Sequence, residues 1–184
     1  MKNIKEPSAL MRPAPFWSWN DKLDESECRR QIREMAEKGW GSFFMHSRVG
    51  LVTPYLSEEW MNIIKACADE AEKNGVYAWL YDEDKWPSGY AGGIVPVIDE
   101  EYRSRALTLL KKEQIQDNDT ILKEFEINGA KYFISKRIEK LDSQWFNGFS
   151  YVDLMNPKAV KAFLDSTHEK YKEAAGKYFG NVIH

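Results

Sequence analysis

Residues 14–81 alternate short, continuously apolar runs with amphipathic helical segments. That alternation restricts the chain to folds in which helices cover a parallel sheet. Ala14-Pro-Phe-Trp-Ser-Trp-Asn20 reads as a first strand, Gly41-Ser-Phe-Phe-Met-His46 as a second and Val76-Tyr-Ala-Trp-Leu-Tyr81 as a third. Between the first two, Asp24 is placed to cap a helix over residues 25–38. Its apolar positions Cys28, Ile32, Met35 and Ala36 fall on one face, and Gly39 ends it. Ser57 caps the next helix, whose buried stripe is Trp60, Ile63, Ile64, Cys67, Ala68 and Ala71 and whose stop is Asn74-Gly75.

The rhythm changes over residues 101–155, which read as a small antiparallel β insertion. Strand-like runs at 105–110 and 121–128 lead to Asn128-Gly129, whose readiness for positive φ is a strong hairpin signal. Asn156-Pro157 then opens a further helix, with Val160, Phe163, Leu164, Thr167 and Tyr171 inward and Gly176 near its end. Phe179 to His184 reads as entry into a fourth strand. The expected fold is therefore α/β, an incomplete (β/α)8 barrel of the TIM type. It would comprise about three βα units, the start of a fourth strand and the inserted β segment. On this reading the sequence is the N-terminal portion of a barrel that ends before closure, and its open sheet edge is free to self-associate.

Composition removes several classes of function. The 26 basic and 29 acidic side chains are interspersed and give a net charge of −3, so neither nucleic acid nor an anionic membrane is an expected partner. No run approaches the ~20 apolar residues of a membrane span and no signal peptide is evident, so the cytoplasm is the expected compartment. Cys28 and Cys67 lie on helix stripes as buried thiols, without metal-ligand spacing. Aromatic residues make up 14% of the chain, which suits sugar rings and a packed core equally well.

In parallel α/β folds, chemistry gathers where strands end. This selects Trp17, Trp19 and Asn20 after the first strand, His46, Ser47 and Arg48 after the second, and Asp82 to Trp86 after the third. The carboxylates of Asp82, Glu83 and Asp84 are suited to holding sugar hydroxyls, to acid–base work or to Ca²⁺. A solvated acidic loop, or a salt bridge to Lys85 or Arg48, explains them equally. His46 is either a ligand contact or a hydrogen-bonded structural residue. Trp17 and Trp19 share a face, either with one of them against a sugar or with both in the core. His168, inside a helix, reads as surface or packing. Gly89, Gly92 and Gly93 match no phosphate loop, and Ser88 lacks a nucleophile elbow.

Several strings resemble, in order, those of glycoside hydrolase family 106, the α-L-rhamnosidases. They are Pro15-Phe-Trp-Ser-Trp-Asn20, Met45-His-Ser-Arg48, Pro54-Tyr-Leu-Ser-Glu-Glu-Trp60 and Trp79-Leu-Tyr-Asp-Glu-Asp-Lys-Trp-Pro-Ser-Gly89 with its Ala91-Gly-Gly93 tail, followed by Tyr151-Val-Asp-Leu-Met-Asn-Pro157. The resemblance implies a catalytic barrel, inverting hydrolysis of terminal α-L-rhamnosides, and dependence on Ca²⁺. It places the catalytic glutamates beyond residue 184, so this piece is expected to be inactive by itself. A sugar subsite made of Trp17, Trp19, Asn20, His46, Arg48, Asp82, Glu83 and Trp86 is the corresponding expectation. The alternative is a non-catalytic carbohydrate-binding or self-associating protein.

Overall fold

The computed structural model describes residues 5–184. They form two compact units, one of the described residues up to Ser88 together with Thr167–His184, the other of Gly89–Ser166.

The first unit carries β1 (Phe16–Trp19), α1 (Glu25–Glu37), β2 (Ser42–Ser47), α2 (Glu58–Asn74) and β3 (Tyr77–Leu80). The strands make one parallel sheet in the order β1-β2-β3, with Phe16 opposite Phe44 and Ser42 opposite Tyr77. The helix boundaries follow from local chemistry. The Asp24 carboxylate accepts from the Glu27 N–H at 2.9 Å, and Ser57 Oγ accepts from the Trp60 N–H at 3.2 Å. Gly75 closes α2 at φ +65°. The predicted stripe of α2 is buried along its whole length. On one face of the sheet, Trp17 donates from Nε1 to Gln31 of α1 at 2.9 Å, and Trp19 meets the Trp60 ring of α2 at 5.0 Å. Phe43 and Met45 complete this core. The opposite face carries Phe16, Phe44, His46, Trp79 and Tyr81.

The expected fourth strand is reduced to one parallel bridge, Ile183 beside Ala78, in which the Ala78 N–H donates to the Val182 carbonyl at 2.9 Å. The single helix expected after Pro157 is broken. Thr167, at φ −117° and ψ −75°, separates α4 (Pro157–Ser166) from α5 (His168–Ala175).

The second unit holds the short α3 (Ile94–Ile98), β4 (Arg105–Leu110), β5 (Asp119–Ile127), β6 (Ala130–Ile138) and α4. Its strands pair antiparallel in the order β4-β6-β5, and β5 and β6 turn at Asn128 and Gly129 with φ +51° and +77°. The α4 cap is the anticipated one, with Asn156 Oδ1 accepting from the Lys158 N–H at 3.0 Å.

The incomplete (β/α)8 barrel is not the architecture. The chain is α/β, with an open three-stranded parallel sheet and a separate three-stranded antiparallel sheet. Two physical facts account for the difference. Alternating apolar strands and amphipathic helices specify a parallel crossover, which open sheets and barrels share. From Arg105 onward the strands pair antiparallel, β5 and β6 through the tight turn at Asn128-Gly129, so they extend no parallel barrel wall. Among the described residues, no helix is long and apolar enough to cross a membrane.

Two glycines of the first unit separate backbone strain from steric overlap. A Cβ on Gly75 would meet nothing within 4 Å, whereas one on Gly41 would lie 1.8 Å from the Ala9 carbonyl oxygen. Gly75→Ala is expected to cost ~1–2 kcal/mol, from its left-handed backbone alone. Gly41→Ala should cost more, because a backbone atom must move. Urea unfolding of both variants checks the order, and equal losses would contradict it.

Candidate functional site

The chemistry-bearing residues of the first unit gather at the C-terminal end of its parallel sheet, and the tertiary structure sorts them into three environments. Trp17 and Trp19 belong to the first, the helix-facing core. Their rings meet edge to face at 5.3 Å, and Trp19 is only 3% exposed. Trp19 is thus held inside the core, while Trp17 is half-buried. Asn20 follows them as an exposed residue, and its carbonyl oxygen would lie 2.8 Å from a Cβ on Gly50. Close approach of these two loops therefore requires a glycine there.

His46 defines the second environment. It shares a sheet face with Phe16 and Tyr81, whose rings each lie 4.2 Å from it and 5.6 Å from each other, and it is 2% exposed. Its Nδ1 has no hydrogen-bond partner among the described residues. Burial is the main cause lowering its pKa from the ordinary 6.5 to about 4; the Arg48 charge adds to this and Asp84 opposes it. The imidazole is neutral at neutral pH. Arg48 itself is exposed, and its backbone N–H donates to the Trp19 carbonyl at 2.9 Å.

The acidic triplet, the third environment, divides by burial. Glu83 is fully buried, and its Oε1 accepts from the Asp84 N–H at 2.8 Å. Asp84 is also buried and accepts from Ser47 Oγ at 2.5 Å, which ties the end of β2 to the loop after β3. Asp82 is half-buried and accepts from Ser88 Oγ at 2.7 Å. Trp86 is 71% exposed.

Asp82 opens onto a cavity of about 450 Å³. Leu80, Phe179 and Ile183 supply apolar wall, while Tyr171, His168 and His184 bring polar atoms to it. Of the eight residues selected from the sequence, only Asp82 lines this cavity, so His46 and Asp82 do not share it. Tyr171 is held from both sides: Trp60 Nε1 donates to its hydroxyl at 3.1 Å, and the hydroxyl donates to the Tyr81 carbonyl at 3.3 Å. Burial pushes the Tyr171 hydroxyl pKa up, so it remains a phenol.

Sequence reasoning missed His168, Tyr171, Phe179 and His184. His168 lies one residue past the helix break and its Nδ1 is 2.8 Å from Thr167 Oγ1, and no spacing in the sequence signals that break. His184 was legible only as the end of a strand-like run. Among the described residues, no group of three or more His, Cys, Asp or Glu side chains is arranged to hold a metal ion. Each carboxylate of the triplet accepts from a protein donor. What the arrangement offers is one accessible carboxylate, two imidazoles and a phenol around an apolar hollow, a set able to hold hydroxyl groups against a hydrocarbon surface. No family model, curated protein or solved structure matches the chain.

The depressed His46 pKa makes stability depend on pH. The folded chain binds this proton less readily than the unfolded chain, so the contribution is complete above pH 6.5 and is lost as pH falls toward 4. The full loss is ~3 kcal/mol by the size of the shift. Unfolding free energies of the wild type and His46→Gln should therefore converge by about that amount from pH 7 to pH 4. A pH-independent difference between them would show that His46 is not held neutral by the fold.

Proposed function

We propose that this chain recognises the terminal sugar of an α-L-rhamnoside, as the sugar-binding part of a glycoside hydrolase resembling the family 106 enzymes. The observation that carries this reading is the cavity beside Asp82, where Leu80, Phe179 and Ile183 face the same space as Asp82, His168 and His184. A 6-deoxyhexose has complementary surfaces, with hydroxyls to engage the carboxylate and imidazoles and a methyl group for the apolar wall. The family-like strings at Pro15–Asn20 and Trp79–Gly89 favour the same reading, and the second contains Asp82. Buried free thiols at Cys28 and Cys67 suit a reducing compartment, so we place the chain in the cytoplasm.

A non-catalytic role for the chain by itself is favoured by the state of the triplet. Inverting hydrolysis requires two carboxyl groups roughly 6.5–9.5 Å apart on either side of the scissile bond. Glu83 and Asp84 are buried in internal hydrogen bonds, which leaves Asp82 as the accessible member.

Calorimetry with L-rhamnose and with an aryl α-L-rhamnoside tests the proposal. Saturable binding is expected, weakened ~10-fold or more by Asp82→Ala, since a hydrogen bond to a charged group is worth ~1.5–3 kcal/mol. The same aryl rhamnoside should release no more phenol with the wild type than with Asp82→Asn. Absence of binding, or equal affinity for an aryl galactoside, would overturn the sugar assignment, and turnover above the variant would overturn the non-catalytic one.

A further inference from the structure

The antiparallel sheet of the second unit treats its two faces differently. Residues directly paired in an antiparallel ladder share a face. One face carries Asp119, Arg137, Glu124 and Lys131, and these charges pair with one another: Asp119 with Arg137 at 2.6 Å and Glu124 with Lys131 at 2.7 Å. The same face carries Phe133, Leu110 and Ile121, and Leu110 on it is buried.

The other face is apolar. The pairs Leu109–Ile134, Phe125–Tyr132 and Ile127–Ala130 lie on it, with Leu107 opposite Lys136. Leu107 is 73% exposed, Leu109 60% and Ile127 49%. Its charged side chains are Arg105, Lys123 and Lys136, with no carboxylate among its paired residues. Arg105 is bound to Glu101 at 3.0 Å and Asp153 at 3.1 Å, whereas Lys123 and Lys136 form no ion pair among the described residues. Open apolar side chains beside two uncompensated lysines make a surface that lacks its counterpart.

We propose that this face docks an amphipathic helix of another polypeptide, with acidic residues flanking its apolar stripe. Width and charge both support that occupant. At the row Leu109–Ile134–Lys123 three strands at ~4.8 Å spacing span about 10 Å, the diameter of one α-helix, and the face continues two strands wide through Phe125–Tyr132 and Ile127–Ala130. The stretch from Lys123 to Ile127 runs ~13 Å along the strand, enough for roughly two turns of helix. The lysines call for carboxylates on the partner. A second copy of this chain does not provide them, because joining two such faces would set Lys123 and Lys136 against their own kind. The inference is independent of the sugar cavity, which lies in the other unit.

The test uses the full chain and two labelled 18-residue helical peptides with one Leu/Ile stripe at helical spacing, one flanked by Glu and the other by Lys. Fluorescence polarisation should show saturable binding of the Glu peptide at least ~10-fold tighter than the Lys peptide, the preference shrinking in high salt. Lys123→Glu with Lys136→Glu should reverse the preference, and Leu107→Ser with Leu109→Ser should abolish binding. Because all four substituted side chains are on the surface, an unchanged circular dichroism spectrum verifies each fold. Absence of saturable binding by the Glu peptide, or equal binding of both, overturns the proposal. So does dimerisation through this face in sedimentation, or displacement of the Glu peptide by polygalacturonate at equal carboxylate concentration.

Discussion

The first unit depends on the burial of one side chain, Trp60. It sits in the first turn of α2, fully out of solvent, and meets Trp19 of β1 at 5.0 Å and Tyr55 at 5.2 Å, both edge to face. Such contacts are worth ~0.5–1.5 kcal/mol each beyond area burial. Its indole nitrogen cannot be left without an acceptor at that depth. The Tyr171 hydroxyl provides one, and that hydroxyl in turn holds the Tyr81 carbonyl. Thus the first strand, the second helix, α5 and the end of the third strand share one hydrogen-bonded aromatic node. Asp82 follows Tyr81 directly, so its position over the cavity is a consequence of how Trp60 is satisfied.

The acidic triplet shows how a short sequence acquires unequal roles. Three carboxylates in succession repel one another in water, and the fold divides them. Glu83 is buried against a backbone N–H, Asp84 is tied to Ser47, and Asp82 keeps access to the cavity. The two internal bonds order the loop that presents the third, as second-layer contacts generally do for a group that meets a ligand. The charges also influence their neighbours. Burial raises the Tyr81 hydroxyl pKa, and Asp82 and Glu83 raise it further.

What could be read from the sequence was local. The caps at Asp24, Ser57 and Asn156, the stop at Gly75 and the turn at Asn128-Gly129 depend on a few adjacent residues, and each stands where its chemistry puts it. The sequence leaves nonlocal features open. The period of a strand shows that Trp17 and Trp19 share a face, but which face a helix covers depends on α1 and α2 arriving there. Closure into a barrel depends on how many strands join one sheet, a property that alternation does not encode. The break at Thr167 falls in Asp165-Ser-Thr-His168, residues of middling to low helix propensity across which the apolar helical period nevertheless continues. It is this break that starts α5 at His168 and gives the cavity one of its imidazoles. Strand-end position therefore located Asp82, while apart from Leu80 its surroundings arrive from residues more than eighty positions away.

The abundance of aromatic residues has a structural explanation that bears on function. Phe16, Phe44, His46, Trp79 and Tyr81 interlock on one sheet face, and Trp17, Trp19 and Phe43 on the other. Three strands of four to six residues bury little surface by themselves, and broad rings supply area that short aliphatic side chains would not. Seven of the 25 Phe, Tyr and Trp residues are thus engaged in holding a small sheet together. Tyr171 and Phe179 are the two aromatic residues that reach the cavity, and both come from the segment after the helix break. Aromatic richness in such a chain is a poor guide to a sugar site. The informative feature is the pairing of a tethered but accessible carboxylate with an apolar wall, because a core has no use for that combination.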